Sequence, residues 1–66
     1  MKITKMKVDK LEKLIGKQVI AFTKNGFRFS GNVQDFDGRF LEIFDDIKHK
    51  RKMLAIDEIA EIEISE

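Results

Sequence analysis

KNGFRFSGNVQDFDGRF, residues 24–40, is the stretch from which the fold is read. Asn25-Gly26 stands between two β-rich runs. That is the signal of a tight hairpin, whose type I′ turn needs positive φ at both central residues. Beyond it, Phe27 and Phe29 alternate with Arg28 and Ser30, the two-residue period of a strand. Both rings are expected in the core. Gly31 interrupts the strand, where a glycine marks a bend, a bulge or a close backbone approach. Strong bending is what closing a small barrel requires. Asp37-Gly38 is a second turn.

Upstream, QVIAFTK (18–24) places Val19, Ala21 and Thr23 on one face and Ile20 and Phe22 on the other. Before it, VDKLEKLI (8–15) repeats Val8, Leu11, Leu14 and Ile15 at helical spacing. Asp9 and Glu12 resemble a capping box, and Gly16 suits a left-handed helix end. Downstream come a third strand in GRFLEIFDD (38–46), a polar loop in KHKRK (48–52) and a fourth strand in KMLAI (52–56). IAEIEI (59–64) is a fifth, with Ala60, Ile62 and Ile64 on one face and Glu61 and Glu63 on the other. The expectation is a mostly β domain over residues 1–66. A basic N-terminal segment (1–7) and a short helix (8–15) lead into a strongly bent five-stranded antiparallel small barrel (18–64).

At 66 residues the chain has room for one domain with a marginal core. It has no Cys and one His, so neither disulfides nor an ordinary zinc site can reinforce it. No apolar run approaches membrane length and the start is not a secretory leader, so the expected compartment is the cytoplasm. Net charge is +1, but the distribution is uneven. Residues 1–17 carry six Lys against Asp9 and Glu12, residues 48–52 are all basic or titratable, and residues 57–66 carry five acids and no base. Such a chain can attract copies of itself or hold a polyanion on one surface. A terminal strand IAEIEI with an open edge would either aggregate or pair, which favours an oligomer.

The run 24–40, the helix ending in Ile15-Gly16-Lys17 with Val19 after it, and the short C-terminal β pair together resemble the Sm-like (Lsm) family, which includes bacterial Hfq. Gly26, the aromatic strand, Gly31, Val33 and Phe36-Asp37 match its first motif. KMLAI and IAEIEI lie where its second motif would be. The resemblance implies a ring of six or seven subunits in which the fourth strand of one pairs with the fifth of the next. It also implies binding of single-stranded, often U-rich, RNA. The family's stacking residue and base-reading Asn fall on Arg39 and Leu41. Its Arg-Gly falls near Ala55-Ile56, and the Tyr-Lys-His of Hfq on Ala55-Ile56-Asp57. Arg can stack on a base, but Leu cannot hydrogen-bond one. The usual uridine pocket is therefore expected to be altered, with weak base specificity.

The candidate RNA-binding residues are Arg39 at the second turn and Lys48, His49, Lys50, Arg51 and Lys52 in the basic loop, which would contact phosphates. Phe40 beside Arg39 is expected in the core. NGFRFSG also resembles the base-stacking strand of cold-shock and RNA-recognition-motif proteins, although the second aromatic strand is missing. Asp35-x-Asp37-Gly38 lacks the closing Glu of a calcium loop, and Asp45-Asp46 reads as a solvated strand end. No catalytic constellation, metal site or cofactor motif is found, so no enzyme is expected. The alternative is an assembly module of the same fold that contacts protein and binds no nucleic acid.

Overall fold

A computed structural model describes residues 2–3 and 8–65, with side chains from residue 10 onward. Its strands are Lys2–Ile3 (β1), Gln18–Thr23 (β2), Arg28–Phe36 (β3), Phe40–Asp45 (β4), Lys50–Ala55 (β5) and Ile59–Ile64 (β6). The helix Val8–Glu12 (α1) precedes β2, and a single 3-10 turn, Ile56–Glu58, separates β5 from β6. All strands belong to one antiparallel sheet in the order β1-β6-β2-β3-β4-β5.

Three expectations are corrected here. The sheet is open, because β1 and β5 end it without pairing to each other among the described residues. IAEIEI is not an edge: β6 pairs with β2 on one side and with Lys2 and Ile3 on the other. The free edge belongs to β5, the strand KRKMLA. The helix is also shorter than 8–15, since residues 13–16 form turns and Ile15 is exposed. The basic segment 1–7 and the side chain of Asp9 lie largely outside the described residues.

The core follows from period-two alternation. Val19, Ala21 and Thr23 of β2, Val33 of β3, Leu41 and Ile43 of β4 and Leu54 of β5 are all buried. Leu11 and Leu14 cover one side of it. Two register shifts modify the alternation. Phe22 and Thr23 sit opposite Glu61 and Ile59, so Ala60 bulges out. Ile59 and Ile62 then share the buried face, whereas a regular strand would have buried Ala60 with Ile62. A second shift, between Val33 and Asp35, returns Phe36 to the core.

The first hairpin is not the expected two-residue turn. Thr23 N–H donates to Phe27 O (2.9 Å) and Gly26 N–H to Thr23 O (3.1 Å), which makes a three-residue loop 24–26. Only Gly26 of the Asn-Gly pair has positive φ, +90°. The buried Thr23 hydroxyl stabilises this loop, accepting from Phe27 N–H at 2.9 Å and lying 2.8 Å from Asn25 Oδ1. Gly31 proves to be a close approach. A Cβ there would collide with the Phe44 carbonyl oxygen and stand 2.6 Å from Ile43 Cγ2, so β4 crosses directly over the glycine.

Candidate nucleic-acid interface

The inner face of the sheet changes character along its length. Leu41 pairs with Leu54, Ile43 with Lys52 and Asp45 with Lys50. Toward the 46–49 turn, the positions that face the core elsewhere on β5 are therefore lysines. On β3 the same face continues from Gly31 to Phe29, with Phe27 just before the strand, and the facing positions on β5 are Lys50 and Lys52 rather than apolar residues. The result is an open mouth at one end of the sheet. A concavity of about 280 Å³ lies there, lined by Phe29, Ser30, Ile43, Asp45, Lys48, Lys50, Arg51 and Lys52.

Four cations against one carboxylate line this mouth. The carboxylate is already engaged: Asp45 Oδ1 accepts from Ile47 N–H (3.0 Å) and Lys48 N–H (3.1 Å), fixing the start of the basic turn. His49 closes that turn with φ +54°. Lys52 Nζ stands 4.9 Å from the Phe29 ring centroid, a cation over an aromatic face. The Phe27 and Phe29 rings stack with centroids 6.3 Å apart and planes 29° apart. Phe29 is half-buried, but Phe27 is 59% exposed. The expectation that both rings are core thus holds only in part, because β3 outruns the apolar stretch of β5.

The sequence-derived candidates divide between two places. Lys48, Lys50, Arg51 and Lys52 converge on the mouth. His49 packs instead edge-on against Phe44, 6.5 Å between centroids. Arg39 lies at the other end of β4, where its carbonyl accepts from Ile56 N–H (2.9 Å). Six strand positions, roughly 20 Å, separate it from Lys50. The 37–39 turn is thus brought beside Ala55-Ile56, away from the basic loop. Asp37 Oδ1 accepts from Phe40 N–H (2.8 Å) and Arg39 N–H (2.9 Å). Those bonds, with a smaller contribution from the Arg39 charge, hold its carboxyl below the usual aspartate range. Leu41 is fully buried, whereas Phe40 is 40% exposed rather than in the core. Phe29 and Phe27 are the site residues that sequence reasoning undervalued. The available signal was the mismatch between an aromatic inner face on β3 and a lysine inner face on β5.

Among the described residues no cluster of His, Asp or Glu could hold a metal ion, and no helix is long and apolar enough to cross a membrane. Comparison with protein-family models, with curated proteins and with solved structures finds no match to this chain.

Proposed function

We propose that this chain binds single-stranded RNA at the mouth between β3, β4 and β5, as a ring-forming protein of Sm-like type with weak base specificity. One observation carries the reading: the half-buried Phe29 lines the same concavity as four cations, and the exposed Phe27 ring stacks on it at the rim. The cations would neutralise phosphates and release counterions. The Phe27 ring would stack a base without selecting among bases, since every base has a π-face. Arg39, roughly 20 Å away along β4, would be a second and independent contact. Self-assembly is supported by the open edge of β5 and by the limited core of a chain this short.

A fluorescence titration with U-rich and A-rich oligonucleotides at several salt concentrations tests it. Similar affinities for the two sequences are expected, with steep weakening by salt. The triple variant Lys50→Gln, Arg51→Gln, Lys52→Gln should lose most of the binding. Salt-insensitive binding, or a triple variant that binds as the parent does, rejects the assignment.

The second reading is an assembly module that contacts protein. It is favoured by burial of Leu41 and by the apolar Ala55-Ile56 beside the 37–39 turn, since neither position offers a side chain that can hydrogen-bond a base. A ring that binds neither oligonucleotide would support it.

A further inference from the structure

The two outer edges of the sheet are unequal. β5 offers one whole side of its backbone, with no neighbour among the described residues. β6 would offer the other outer edge, but β1 lies on it, pairing Lys2 with Glu63 and Ile3 with Ile62. Two pairs cover only part of a six-residue strand. The charges of the two strands are complementary. β5 carries Lys50, Arg51 and Lys52 and no acid, whereas β6 carries Glu61 and Glu63 and no base. Open strand edges recruit other strands, and opposite charges on facing strands favour the pairing.

From this we infer that Lys2–Ile3 is a strap that competes with a second copy of the chain for the outer edge of β6. The incoming strand is β5 of that copy, chosen by its free edge and its charge. The inference rests on the ring-forming reading above and adds a built-in brake to it. A two-residue strand makes few ladder bonds, so a longer strand displaces it at small cost. The edge is thus shielded in the isolated chain and released by assembly.

The test uses the full chain. Ile3→Pro removes a backbone donor from the strap. The chain has no Cys, so the double variant Lys2→Cys, Glu63→Cys provides one possible intramolecular disulfide. Directly opposite antiparallel residues lie about 4.5–5.5 Å apart at Cα, within reach of such a bond. Sedimentation velocity over a concentration series reads self-association, and circular dichroism checks that each variant stays folded. The expected result is about tenfold tighter association for Ile3→Pro. The oxidised double variant should stay a single copy, and its reduced form should recover assembly, weaker than the parent's only by the lost Glu63 charge. Failure of the disulfide to form, or equal assembly of oxidised and reduced protein, overturns the strap while leaving the ring reading intact. A parent and an Ile3→Pro variant that both remain single copies at every concentration overturn the ring reading, and the strap with it.

Discussion

Gly31 is where a single atom decides the geometry. Its missing side chain is the space through which the Phe44 carbonyl passes, and a backbone atom cannot swing aside as a flexible side chain would. Gly31→Ala is therefore expected to lose about 1–3 kcal/mol, read as a lower denaturation midpoint. Asp37 acts at the same scale through protons. Its carboxyl is held below the usual range by N–H donors from Phe40 and Arg39, so the folded state favours the ionised form. That contribution is present above the unfolded aspartate pKa and is lost as pH falls through the lower folded value. The loss belongs below about pH 4. Melting curves between pH 6 and pH 2, taken as ~1-unit steps, should show a weaker acid dependence for Asp37→Asn than for the parent.

Among the elements, α1 and the β4–β5 hairpin show how local sequence and packing divide the work. A helix of five residues has no stability of its own and is held by Leu11 and the following Leu14, both buried. Leu11→Ala should cost about 2–5 kcal/mol, enough to compromise a domain this small in an equilibrium denaturation experiment. Phe27, just before β3, predicts the opposite pattern. Phe27 is largely exposed, so Phe27→Ala should leave the melting temperature nearly unchanged. Oligonucleotide affinity should nevertheless fall by the roughly 1–3 kcal/mol of a lost stacking platform. An equal loss of stability, or unchanged affinity, would return Phe27 to the status of an ordinary surface residue. The helical stripe and the strand alternation were legible at this level. The end of α1 was not, because Ile15 continues the apolar spacing while Gly16, at φ +88°, already turns the chain toward β2.

For the whole molecule, the radius of gyration of 10.3 Å is close to the roughly 10.8 Å expected for a single domain of this length. Although the sheet is open, the curl brings one end of β3, β4 and β5 around a basic mouth. If three of its cations contact phosphates, log affinity against log salt should have a slope of about −2 for single strands. Replacing Lys50, Arg51 and Lys52 by Gln should bring that slope near zero, which a titration series measures directly.

Composition, strand periodicity and turn residues determined by themselves a small, mostly β chain with alternating strands, because alternation is a property of neighbours along the chain. The basic cluster at 48–52 was equally plain. Three things depended on tertiary structure. The bulge at Ala60 put Ile59 in its place on the buried face of β6, and Phe27, just before β3, was left in solvent. Strand order placed KRKMLA rather than IAEIEI at the free edge and set Arg39 apart from the basic turn. Each depends on which strand lies beside which and in what register, a matter of contacts between residues far apart in the chain that no local pattern encodes.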